Sequence, residues 1–161
     1  MSTNAGAPVV RPRIVVGVDG SEPSREALRW AVRQAGLVTG DVVPQIQAVI
    51  VWDFPAPYGF GAPPLPGWNA QEVARGVIDQ ALSETFGENV PGNLVPVVRE
   101  GSAAQVLIGL SEGALMTVVG SRGHGGFTGM LIGSVSAKVA EHAHSPVLVV
   151  HGDQDRRPDA A

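Results

Sequence analysis

The chain has 161 residues, 44% of them hydrophobic, enough to build one ordinary domain around a sizeable core and too few for two. Eleven lysines and arginines stand against fifteen acids, a formal charge of −4, and no segment concentrates basic residues as a nucleic-acid surface would. The absence of cysteine removes disulfides, thiolate metal sites and thiol catalysis, and leaves the redox compartment undetermined on that ground.

In chain order, "MSTNAGAPVVRPR" has neither the basic start nor the apolar centre of a secretory signal, and residues 1–12 read as a flexible tail. No apolar run approaches the roughly 18 residues of a membrane span, so a soluble, cytoplasmic protein is the expectation. "RIVVGVD" (13–19) is a continuous β-branched run, as in a strand buried on both faces. In "GSEPSREALRWAVRQAGL", Ser21 is a candidate cap, Pro23 suits the first turn, and Leu28, Ala31, Val32 and Ala35 share a helical stripe. "IQAVIVW" (46–52) is a second strand. The prolines of "DFPAPYGFGAPPLPGW" (53–68) forbid helix interior and sheet alike, leaving a loop long enough to serve as a lid. A second helix follows, with Val73, Val77, Ala81, Leu82 and Phe86 on one period, then a strand at "LVPVV" (94–98). A short helix capped by Ser102, a strand in "ALMTVVG", a helix in "SVSAKVAEHAH" and a strand in "PVLVVHG" complete a β-α-β-α-β-α-β-α-β order. Residues 152–161 read as a second tail. Such alternation indicates a parallel sheet covered on both faces, with ligands bound beyond the carboxyl ends of the strands.

The stretch "GSRGHGGFTGMLIGS" carries six glycines between Gly120 and Ser134, directly after the fourth strand. A glycine costs roughly 0.5–1 kcal/mol against alanine in regular structure, so this density points to positive φ angles or to a close approach to the backbone. Gly120 and Gly123, then nine residues, then Gly133 and Ser134, form a GxxG-x9-GS spacing whose last pair opens a helix. Bare amides in the first half, with the N–H groups and positive dipole end of that helix, suit a phosphate. Ser134 is placed to cap the helix or to donate to a phosphate oxygen, and Ser136 offers a further hydroxyl or amide. The P-loop lysine pattern and the Rossmann GxGxxG are both absent. Positive charge would come from Arg122 and a bound Mg²⁺, with Lys138 a weaker candidate, which suits holding a nucleotide better than fast phosphoryl transfer.

"RIVVGVDGSEPSREALRWA" and "VVGSRGHGGFTGMLIGSVSAKVAEHAHSPVLVV", with the element order between them, resemble the universal stress protein family over roughly residues 12–151. The GxxG-x9-G[ST] spacing resembles that family's ATP-binding branch. The resemblance implies an α/β fold, a Rossmann-like three-layer sandwich with a five-stranded parallel sheet of order 3-2-1-4-5. It further implies ATP in the crevice between strands one and four, and a homodimer through strand five, Val147–Val150. Asp19 would lie near the adenosine and Val51 would meet adenine through its backbone. Gly120, Gly123, Gly133, Ser134, Val135 and Ser136 would serve ribose and phosphates. "AVIVW" can also be slid by two, placing Val49 in the role of Val51.

Plainer roles compete. Asp19 fits a cap of the turn "DGSEPS", and His142 and His144 fit the negative end of the last helix. His124, the one imidazole of the glycine loop, lacks a partner at catalytic spacing. Trp30 belongs to packing; Trp52, Tyr58 and Trp68 would cover the sheet edge or roof the site. The leading expectation is an ATP-holding regulatory module with at most slow hydrolysis. The alternatives are a nucleotide-phosphate hydrolase or transferase, a pocket for another adenine nucleotide such as cAMP, and a nucleotide-free structural dimer.

Overall fold

The computed structural model describes residues 11–53, 67, 69–124, 129 and 131–152. Its elements run β1 (Arg13–Gly17), α1 (Glu22–Leu37), β2 (Gln45–Trp52), α2 (Ala70–Phe86), β3 (Leu94–Glu100), α3 (Ala103–Ser111), β4 (Met116–Gly120), α4 (Ser134–His142) and β5 (Val147–Val150). All pairings are parallel and the sheet order is β3-β2-β1-β4-β5, as expected. Of the proline-rich stretch only Asp53 and Gly67 are described; Tyr58 and Trp68 lie outside the described residues.

Each boundary has a local cause. Ser21 caps α1, its hydroxyl accepting from the Ser24 N–H at 3.4 Å, and Pro23 occupies the first turn. Asn69 caps α2 by accepting from the amides of Gln71 and Glu72, and Gly87 ends it at φ 60°. Ser102 stands at the cap position of α3, but its hydroxyl makes no capping hydrogen bond. Arg13 closes the other end of α3, donating to the carbonyls of Leu110 and Glu112. β1 stops at Gly17, two residues earlier than the apolar run suggests, because only the Val18 amide still reaches β2, at Val49.

Two apolar layers flank the sheet. On one face, Ile14, Val16, Val18, Ile46, Ile50 and Val118 pack with Leu28 and Ala31 of α1 and Ile78 and Leu82 of α2. On the other, Val15, Val49 and Val119 pack with Leu107 of α3 and Val139 of α4. The α2 stripe differs from expectation. Ala70, Ala74, Ile78, Ala81 and Leu82 are buried, whereas Val73 is 51% exposed. Small alanines let α2 lie close to its neighbours, so the buried stripe is rotated away from the larger valine.

β1 and β4 are adjacent, and their connections leave on opposite faces, β1 to α1 and β4 to α4. A crevice opens where adjacent strands part in this way. Ile78→Ala should lower stability by about 2–4 kcal/mol in urea unfolding, while Val73→Ala should stay within about 0.5 kcal/mol. The reverse ranking would contradict the observed face of α2.

Candidate functional site

A cleft of about 320 Å³ occupies this crevice. Gly17, Val49, Val51, Leu107 and Val119 supply apolar lining, while Asp19, Arg122, His124, Ser134 and Ser136 supply polar groups. Asp19, Val51, Gly120, Arg122, Gly123, Gly133, Ser134, Val135 and Ser136, scattered through the sequence, all line this one cleft. Val18, Ser24, Val49, Ala103 and Leu107 line it too, although only the β2 register pointed to one of them, Val49. Gly17 carried a usable signal, since a Cβ there would lie 3.0 Å from Leu107 Cδ1; its bareness lets α3 sit directly over the strand end.

Close approach explains two of the described glycines of the motif, Gly120 and Gly123. Gly120, Gly123 and Gly133 are not among the glycines with positive φ; Gly129 is, at 114°. A Cβ on Gly120 would fall 2.8 Å from Pro23 Cβ and 2.9 Å from the Pro23 carbonyl carbon, so the first turn of α1 rests on the end of β4. A Cβ on Gly123 would run into Asp19 Oδ2. Gly133 is different: its φ of −69° suits any residue, and a Cβ would meet only ordinary contacts at 3.5 Å.

Gly133, not Ser134, is the N-cap of α4, and Ser134 is its first, exposed residue. The Gly133 N–H donates to the Ser121 carbonyl at 2.6 Å, and the first helical bond runs from Ala137 to Gly133. The amides of Ser134, Val135 and Ser136 therefore lack acceptors within the helix, and all three residues line the cleft. The Ser136 hydroxyl is buried and donates to the Gly120 carbonyl, which bolts the helix start to the strand end. On this geometry Ser136 faces the cleft with its amide, and its hydroxyl proton is spent internally.

The two placements on β2 are separated by hydrogen bonding. The Val49 carbonyl accepts the Val18 N–H at 2.8 Å, whereas the Trp52 carbonyl accepts from Gly101 on the β3 side at 2.9 Å. Peptide groups alternate in direction along a strand, so those of Val51 face the β1 side beyond the last pairing, Gly17 with Val49. Asp19 makes the expected turn: Oδ1 accepts the Ser21 N–H at 2.9 Å and the Ser21 hydroxyl. Its Oδ2 accepts the His124 N–H at 3.1 Å.

Other expected residues lie elsewhere. Lys138 is exposed on α4 and does not line the cleft. His142 ends α4 and faces Glu141 at 3.7 Å, while His144 lies past the helix end, its amide donating to Ser111 Oγ at 2.8 Å. Trp30 and Trp52 both pack against the larger core cluster, and Arg33 stacks over Trp30. Among the described residues no helix is long and apolar enough to cross a membrane, and no three histidines or acids group as metal ligands.

An α/β sandwich with an open crevice at its strand-order switch, lined by helix-start amides and an apolar floor, defines the class. The chain belongs to the universal stress protein family, whose profile matches residues 11–151. A universal stress protein of Mycolicibacterium smegmatis is 38% identical over 152 residues, covering 91% of this chain and 50% of its own length. The chain thus spans about half the length of that relative. The universal stress protein UspA of Lactobacillus plantarum has the same fold, with a TM-score of 0.65 at 21% identity over 86% of this chain and 97% of its own. A universal stress protein crystallised in complex with cAMP gives a TM-score of 0.59 at 24% identity, over 87% of this chain and 96% of its own.

Gly120→Ala should destabilise the protein by about 1–3 kcal/mol, because the methyl meets backbone rather than a flexible side chain. Ser136→Ala should cost about 1–2 kcal/mol by leaving the buried Gly120 carbonyl short of its donor. Ser134→Ala should stay within about 0.5 kcal/mol. Chemical denaturation of the three variants checks the ranking.

Proposed function

We propose that the protein is an ATP-binding member of its family, a regulatory module that holds the nucleotide and turns it over slowly at most. The observation that carries the reading is the start of α4: three successive residues whose amides have no acceptor within the helix, all lining a cleft with an apolar floor. Adenine would rest on the floor formed by Gly17, Val49 and Leu107 and meet the peptide groups of Val51. Ribose and phosphates would run past Asp19 and Gly120 toward Arg122, Gly123 and the amides of Ser134, Val135 and Ser136. Mg²⁺ would arrive on the phosphates, neutralising charge there.

Holding is favoured over turnover because Asp19, the carboxylate lining the cleft, already accepts hydrogen bonds from Ser21 and His124. A base for water activation needs an available oxygen near the γ-phosphate. The related structure with cAMP supports an adenine nucleotide as the ligand class, and competition between ATP and cAMP ranks the two.

The module acts as a homodimer joined through β5. The two sheet edges differ in a way that supports this: β3 carries Pro96, Arg99 and Glu100, which discourage further pairing, whereas β5 is an uncharged "VLVV". A cytoplasmic setting and a stress-response partner complete the proposal.

Gly133→Asp is the sharpest test. Aspartate is a favoured N-cap residue and a Cβ fits there, so the fold should survive. Its carboxylate should repel the phosphates and weaken Mg·ATP binding by about tenfold or more in calorimetry. Wild-type protein that binds no ATP, or a variant that binds it equally well, would falsify the reading.

A further inference from the structure

One carboxylate joins two loops that are 105 positions apart in the chain. The turn between β1 and α1 needs only Oδ1 of Asp19, which takes both the N–H and the hydroxyl of Ser21. Oδ2 contributes nothing to that turn. It accepts the His124 N–H at 3.1 Å and fills the space that a side chain at Gly123 would require. The clasp closes from the other direction as well. Gly20, at φ 83°, would place a Cβ 3.5 Å from His124 Nε2, so the imidazole lies over the bare backbone of the same turn. Hydrogen bonds to a charged acceptor are the stronger kind.

We propose that Asp19 is a positioning residue: its carboxylate latches the first half of the glycine loop to the β1–α1 turn, and Gly123 is glycine because that carboxylate occupies its side-chain space. The latch fixes where the amides of Gly123 and His124 stand before any ligand arrives. Its effect on affinity rests on the nucleotide reading above; its existence does not.

The first arm uses the full chain without nucleotide and reads amide hydrogen exchange by NMR. Asp19→Asn replaces one acceptor oxygen with a donor, and His124 should exchange about tenfold faster or more while amides in β1 and β5 keep their rates. Ser21→Ala retains the Oδ2 contact and should leave His124 within about twofold. Gly123→Ala keeps the carboxylate but displaces it, so it should also speed exchange at His124, giving a second route if Asp19→Asn folds poorly. His124 exchange that is unchanged in both Asp19→Asn and Gly123→Ala overturns the latch.

The second arm measures Mg·ATP affinity. Asp19→Asn and Gly123→Ala should each weaken it, and the double variant should be no weaker than Asp19→Asn alone, because both break one contact. Losses that multiply would mean that the two residues act on the nucleotide separately and not through one shared contact, and unchanged affinity in the single variants would reduce the latch to a structural bond; either result overturns the positioning role. Absence of ATP binding in the wild type would instead sink the nucleotide reading, and the exchange arm would then decide the latch by itself.

Discussion

The carboxyl end of β4 is clamped between the starts of two helices, and the cleft exists because of that clamp. Pro23 in the first turn of α1 presses on Gly120 from one face of the sheet, at a distance that excludes even a methyl group. From the other face, the Ser136 hydroxyl bonds the Gly120 carbonyl and the Gly133 N–H bonds the Ser121 carbonyl. The Ser121 N–H continues the pairing to Val150 of β5 at 2.7 Å, so the strand end is tied laterally too. Four constraints on two consecutive residues leave the start of α4 little freedom in where it points.

That arrangement explains why a glycine-rich segment with few cations would suit an anion. Its working groups are peptide N–H groups whose partners within the helix do not exist, and their orientation is set by packing at Gly120 and capping at Gly133. Preorganised donors lose little on binding, since their ordering is completed during folding. The opposite side of the cleft is built from aliphatic side chains and the bare backbone of Gly17, a surface complementary to a flat apolar ring. One end of the crevice suits charge and the other suits a base, which is the division of labour expected at a switch point of a parallel sheet.

Much of this was legible in the residues. β-branched runs such as "RIVVG" and "IQAVIVW" marked buried parallel strands, and the turn "DGSEPS" showed both the Asp19 turn and the Ser21 cap. The spacing from Gly120 to Ser134, read with the family resemblance, singled out residues that the fold assembles in one place. Other features were hidden for physical reasons. The stripe on α2 was misread at Val73 because hydrophobicity alone ranks valine above alanine, whereas close helix packing favours Ala70 and Ala74 at the contact. Why Gly120 and Gly123 are glycine was also out of reach, since it depends on Pro23 and Asp19, remote in sequence. The engagement of Ser136 with a carbonyl, instead of a ligand, could be seen only once α4 was docked on β4.

The central claim is that the first three amides of α4 are the phosphate-binding groups of the cleft. Titration of ¹⁵N-labelled protein with Mg·ATP, followed amide by amide, tests it most directly. The account predicts saturable shifts that are largest at Ser134, Val135 and Ser136, accompanied by Gly123. Saturating nucleotide that leaves those three signals in place would contradict it.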